Sequence, residues 1–154
     1  YSIGTAPIIG YHDGAQNHRE LQGLLRKSLI LVGIFGVSMV LSAELLAYPL
    51  AWLFVGYDEA LMSLTVYGFR IFSLSFVFMG YAIFGSGFFT ALNDGVTSAL
   101  ISFLRTMVFQ VAAVTLLPLV LGIDGIWFSI VIAEMMAMAL SALFLGLKRK
   151  KYHY

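Results

Sequence analysis

The sequence has no cysteine and only three prolines, and charged residues make up just 11% of its 154 positions. Without cysteine there is no disulfide framework, no thiolate zinc site and no thiol catalysis. Soluble domains carry about 25% charged residues, so much of this chain has little to present to water. Nine basic and eight acidic side chains leave a formal net charge of +1, too small a field to draw in nucleic acid or a strongly acidic partner. The three histidines, His12, His18 and His153, are confined to the polar ends and are too dispersed to suggest a metal site. Residues 1–28 lack the basic, apolar, small-residue order of a signal peptide. The chain opens on Tyr1 rather than methionine, as expected of a piece of a longer protein.

Apolar surface, by contrast, is abundant. The hydrophobic class is 60% of the chain with 15 glycines besides, and the mean hydropathy is +0.92. A soluble core of this size could not hide so much, so lipid is the expected solvent. Four apolar stretches have bilayer length, about 20 residues each: residues 28–55, 69–92, 96–121 and 125–147. Residues 1–27 read as the end of a preceding helix and a cytoplasmic connection, and 148–154 as a cytoplasmic tail. Residues 58–68 read as a short amphipathic lead-in along the interface, and Pro49 is expected to bend or end the first span. Turn chemistry joins the spans at Gly56-Tyr57-Asp58, Asn93-Asp94-Gly95 and Gly122-Ile123-Asp124-Gly125. Connections this short make neighbouring helices antiparallel, which predicts an all-α membrane protein, an up-down bundle of four transmembrane helices. Arg19, Arg26 and Lys27 precede the first span and Lys148 to Lys151 follow the last, whereas Asp58, Glu59 and Asp124 occupy two other loops. The positive-inside rule then puts both ends in the cytoplasm and accounts for the basic tail without nucleic acid or anionic lipid as a partner.

Four ionisable residues interrupt the spans: Glu44, Arg70, Arg105 and Glu134. Each costs about 2.5–3.5 kcal/mol at a helix centre on insertion scales, so each needs a reason. Glu44 and Arg70 are equally far in sequence from Tyr57, so a hairpin turning there brings them to similar depth. They read as a structural ion pair or, alternatively, as an outer gate. Arg105 lies about 16 Å along the third span from Asp94 and is expected to snorkel toward the headgroups. Glu134 lies about 15 Å from Asp124, too deep for a carboxylate to snorkel, and Ile130 and Met138 one turn away offer no counter-charge. A lone charge at that depth is costly, which makes Glu134 a candidate for handling a proton or cation. The alternative is a structural residue, protonated or paired with Arg70.

Other features have plainer readings. Ala133, Ala137 and Ser141 on the fourth span, and Gly80 and Gly87 on the second, are small residues that permit close helix packing. Met135, Met136 and Met138 with Tyr81, Phe84 and Phe88 could form an adaptable wall for apolar cations, or simply face lipid and core. Gly85-Ser86-Gly87 does not make a serine protease, because no span contains a histidine to act as base. Nor is there a glycine-rich phosphate cradle followed by lysine. An enzyme is not expected.

The opening Gly4-Thr5-Ala6-Pro7-Ile8-Ile9-Gly10-Tyr11-His12-Asp13-Gly14-Ala15 resembles the G-x-x-P-I-x-x-Y-x-x-G-A segment of the multidrug and toxic compound extrusion (MATE) family. Phe89-Thr90-Ala91-Leu92-Asn93-Asp94-Gly95, with Ser102 and Arg105, is similar to that family's loop between its tenth and eleventh helices. Pro118, Gly122, Gly125-Ile126-Trp127 and Ala133-Glu134 are similar to the start of its twelfth. The resemblance covers essentially the whole chain. It implies that residues 1–15 are the tail of helix 8 and that the four spans are helices 9–12 of a twelve-helix transporter, whose N-terminal lobe lies elsewhere. It implies secondary-active efflux of organic, cationic or amphipathic compounds in exchange for protons or sodium, by alternating access, in the plasma (inner) membrane. Its partners would be the bilayer, the N-terminal lobe and a small-molecule substrate, with no cofactor beyond the coupling ion. In the resemblance, helices 10–12 enclose a polar pocket, which makes Gln110 and Tyr81 the expected hydrogen-bond partners of Glu134. Some members place an acidic cation ligand in the tenth helix, but no Asp or Glu stands between Phe69 and Leu92, so a cation site of that subtype is not expected. The competing readings are a lipid-linked saccharide flippase of the same wider superfamily, for which Arg70 and Arg105 are few cations, and a non-transporting membrane assembly or scaffold protein.

Overall fold

Short polar side chains begin three of the helices that leave a turn. After α1 (Ser2–Gly14), Asn17 accepts a hydrogen bond from the Glu20 amide at 3.4 Å and starts α2 (His18–Val55). Asp58 accepts from the amides of Ala60 and Leu61 and starts α3 (Glu59–Ser73), which is followed by α4 (Ser75–Ala91). Asp94 accepts from the Thr97 amide at 3.2 Å and starts α5 (Gly95–Phe103). A π-helical segment, Leu104–Gln110, leads into α6 (Val111–Leu121), and Gly122, at a φ of 63° that favours glycine, turns the chain into α7 (Ile123–Tyr152). This computed structural model describes all 154 residues and contains no strand. Four helical runs are long and apolar enough to cross a membrane: His18–Val55, Glu59–Ala91, Gly95–Leu121 and Ile123–Tyr152.

Several boundaries differ from the sequence expectation. The first long helix starts at His18 rather than residue 28, because Asn17 supplies the cap, and it passes through Pro49 to Val55. Proline is tolerated within membrane helices where the surroundings satisfy the backbone group it frees. Residues 59–68 are helical and continue into the second helical run, which is interrupted only at Leu74. There the Ser73 hydroxyl donates to the Arg70 carbonyl (2.7 Å) and to Glu44 Oε1 (2.8 Å), and the Leu74 amide bonds the Ile71 carbonyl three residues back, tightening the turn.

Helix α7 packs on α4 and buries the small residues Ser129, Ala133, Ala137 and Ser141. The approach is close: a Cβ at Gly85 of α4 would stand 2.7 Å from Ser141 Cβ. The two glycines expected to form a stripe face different helices, Gly80 toward Val32 of α2 and Gly87 toward Ser2 of α1. The core cluster of Ile9, Leu21, Phe84, Phe88, Phe89, Leu92, Ile101 and Tyr154 gathers at the end of the bundle that holds the Asp94 turn. Phe84 and Phe88 are therefore core residues, while Met135 and Met136 are exposed, so the apolar-cation wall does not assemble. Elsewhere the outer surface carries large apolar side chains such as Leu45, Leu119 and Val120.

Candidate functional site: ion pairs within the spans

The π-helical segment carries Arg105 near its start. In a π-helix the hydrogen bond reaches one residue further than in an α-helix, so side chains beyond it lose their α-helical phase; such segments are frequent at functional sites. From this position Arg105 meets Glu134 of α7 through three hydrogen bonds. Its Nε donates to Glu134 Oε2 (2.9 Å) and Oε1 (3.1 Å), and its Nη2 donates to Oε1 (2.9 Å). The carboxylate is 4% exposed and the guanidinium side chain 23%. Such a fork is the strong form of a charge-assisted pair, and its planarity suits Arg rather than Lys.

This geometry corrects three expectations. Arg105 does not snorkel away but turns to α7, and Glu134 is paired with it, neither isolated nor bound to Arg70. Gln110 and Tyr81 are not its partners, since every hydrogen bond Glu134 makes is to Arg105. Gln110 lies about 7 Å further along the span than Arg105, and the Tyr81 hydroxyl sits against Gly33 of α2, where a Cβ would overlap it.

A second pair lies toward the other end. Arg70 Nε stands 3.5 Å from Glu44 Oε2, and the Ser73 hydroxyl donates to the other carboxylate oxygen at 2.8 Å. Here the side chains are 56% and 35% exposed, so this contact is looser and wetter than the Arg105–Glu134 fork.

The third cluster escaped the sequence reading, which saw Asp94 only as a turn residue. Its Oδ1 caps α5, while Oδ2 accepts from Lys148 Nζ (3.1 Å) and the Tyr152 hydroxyl (2.9 Å) of α7. Burial works against the charged Asp94 carboxylate, but the bonds from Lys148, Thr97 and Tyr152 outweigh it and hold the group well below the usual carboxylate range. The turn between the second and third spans is thus fastened to the end of the fourth. The signal was the Lys148-to-Lys151 run, which the positive-inside rule had already absorbed.

Four membrane-length helices packed through small residues, with ionic side chains paired between them, define a multi-pass helical membrane protein. The MatE family model matches residues 1–116, and the chain belongs to that family, whose members are transporters. Arg105 lies inside the matched segment and Glu134 beyond it. Neither a curated protein nor a solved structure matches the chain.

Proposed function

We propose that the chain works as the C-terminal part of a secondary-active exporter, which drives organic, cationic or amphipathic compounds outward in exchange for protons or sodium. It does so by alternating access against an N-terminal lobe, in the plasma membrane, with its C-terminus in the cytoplasm. The observation that carries the reading is the Arg105–Glu134 pair, held between a π-helical segment and the small-residue face of α7. A paired carboxylate at this depth has its charge answered. Once the two helices part, it must take up a proton or a cation, because a lone buried charge is costly. Those two conditions give an ion gradient something to act on. The flippase reading is weaker, since both intramembrane arginines already face carboxylates and neither is free for a pyrophosphate.

Membrane vesicles holding the complete transporter at matched expression supply the test, with efflux of a fluorescent organic cation driven by an imposed proton or sodium gradient. Glu134→Gln should abolish gradient-driven efflux, whereas Glu44→Gln should leave most of it. Wild-type efflux by Glu134→Gln, with unchanged dependence on the ion, would move coupling out of this pair. Tags placed at Asp58 and Asp124 should be reached from outside and a tag after Tyr154 only from the cytoplasm.

A further inference from the structure

Between the Asp94 turn and the Arg105–Glu134 pair, four hydroxyls are hydrogen-bonded in a row. Thr90 Oγ1 and Ser98 Oγ share a hydrogen bond of 2.7 Å, Ser98 and Ser86 one of 2.9 Å, and Ser86 and Ser102 one of 2.8 Å. The chain zigzags between α4 and α5. On the third span, Asp94, Ser98, Ser102 and Arg105 recur at helical spacing, so one face is polar from the turn to the ion pair over about 16 Å.

Ser and Thr hydroxyls also cement membrane helices, and in that role they are buried between them. Here Ser98 is buried, but Thr90 and Ser102, at the two ends of the chain, are exposed. Each is bonded on its inner side, and hydrocarbon offers nothing to the lone pairs on its open side. Above Ser102, the Arg105 side chain keeps 23% of its surface open. Below Thr90 stand Asp94, Lys148, Lys151 and the Tyr152 hydroxyl. A polar face of this length, ionic at both ends and open at Thr90 and Ser102, calls for water along it.

We propose that Thr90, Ser98, Ser86 and Ser102 line a water-filled half-channel that carries the coupling proton between the Asp94 end of the bundle and Glu134. The proposal rests on the transport reading above and adds the route and the ion. A hydronium reaching Ser102 gives one proton to a Glu134 carboxylate oxygen and is left as water. The resulting carboxylic acid no longer answers the Arg105 charge, so the fork loosens as the proton arrives. The reverse step, water taking the proton back, restores it. Hydroxyls spaced this closely suit hydrogen-bonded water better than a sodium ion that must keep its oxygen shell.

The test uses the complete transporter, freed of any other cysteine, in vesicles with the cytoplasmic face outward. Ser102→Cys and Thr90→Cys are treated with a charged, membrane-impermeant methanethiosulfonate, with Phe103→Cys and Leu100→Cys as controls, two exposed apolar neighbours on the same span. The thiolate that reacts forms only where water reaches, so the hydroxyl positions should label about tenfold faster than the controls. Proton flux is then compared in Ser102→Thr and Ser102→Val, which have the same shape and differ in the hydroxyl. Threonine should keep the gradient-driven flux and valine should lose most of it, with gradient-free substrate exchange equal in both. Labelling of Ser102→Cys no faster than of Phe103→Cys would put this face in lipid and overturn the proposal. Fast labelling with equal proton flux in the two Ser102 variants would also overturn it, making the hydroxyls packing groups. In either case gradient-driven efflux by the wild type would leave the transport reading standing, whereas its absence would remove both.

Discussion

Cutting the Arg105–Glu134 fork from either side should not cost the same. Removing one partner of a buried ion pair costs about 3–5 kcal/mol, because the other charge stays behind. Glu134→Gln leaves a guanidinium that is 23% exposed and can recruit some water, which puts it near the lower figure, about 3 kcal/mol. Arg105→Met leaves a carboxylate only 4% exposed, whose three hydrogen bonds all came from the residue removed. That variant belongs near about 5 kcal/mol. Removing both charges, in Arg105→Met with Glu134→Leu, takes away the unanswered charge and should return stability to within about 1 kcal/mol of wild type or above it. The assay is reversible denaturation of the complete transporter in mixed micelles, followed as a double-mutant cycle. With Glu134→Leu as the matching single variant, its cost close to that of Glu134→Gln, the expected coupling is about 7 kcal/mol, far outside the roughly 0.5 kcal/mol scatter of independent sites. Losses that simply add, or a cost for Glu134→Gln above that for Arg105→Met, would refute the reasoning.

The Glu44–Arg70 pair is more exposed, so reversing both charges together should recover only about 0.2–1 kcal/mol relative to the sum of the single reversals; zero coupling in the same assay would show that the two do not interact. A Cβ at Gly68 would stand 2.5 Å from Trp127 Cε2, whereas one at Gly23 meets open space. Gly68→Ala should therefore cost about 1–3 kcal/mol, and Gly23→Ala should gain about 0.5–1 kcal/mol from helix propensity, both read from thermal midpoints. Asp94 has a folded pKa below its unfolded value, so its contribution is complete above the ordinary Asp value of about 3.9 and fades only as pH falls below it. The midpoint gap between wild type and Asp94→Asn should stay constant from about pH 8 to 5 and close under more acid conditions; a gap that shrinks between pH 7 and 5 would contradict the assignment.

The bundle could be read from the sequence because its signals are long-range in composition and short-range in turns. Apolar runs define spans, and Asp58, Asp94 and Gly122 mark the turns whatever the neighbours do. The start of α2 was misplaced because Asn17 caps as well as any later residue, and hydropathy does not register a cap. The break at Leu74 depends on the Glu44 carboxylate reaching Ser73 from another helix, a contact without local trace. For the main ion pair the arithmetic was present. Arg105 lies about 16 Å from one end of its span and Glu134 about 15 Å from the opposite end of its own, which together make one hydrocarbon thickness of about 30 Å. On antiparallel neighbours, that is the same depth. A lone arginine at this depth can equally reach the headgroups, and the π-helical segment that carries Arg105 toward α7 has no signature in residue type.

The Asp94 clamp divides the bundle mechanically. At its end, Lys148 and Tyr152 fasten a turn to the last helix, Gln22 bonds the His153 carbonyl, and the aromatic core fills the space between. The opposite end has no carboxylate shared between a lysine and a tyrosine; it is joined by the looser Glu44–Arg70 contact, the Trp127 ring on Gly68 and the approach of Gly125 to Leu117. The four helices are thus held like the tines of a fork, stiff at the handle and compliant at the tips. Under a given load the displacement grows with distance from the clamp. The Arg105–Glu134 fork sits partway out, far enough for a modest splay to break its short bonds and near enough to the root for them to re-form in register.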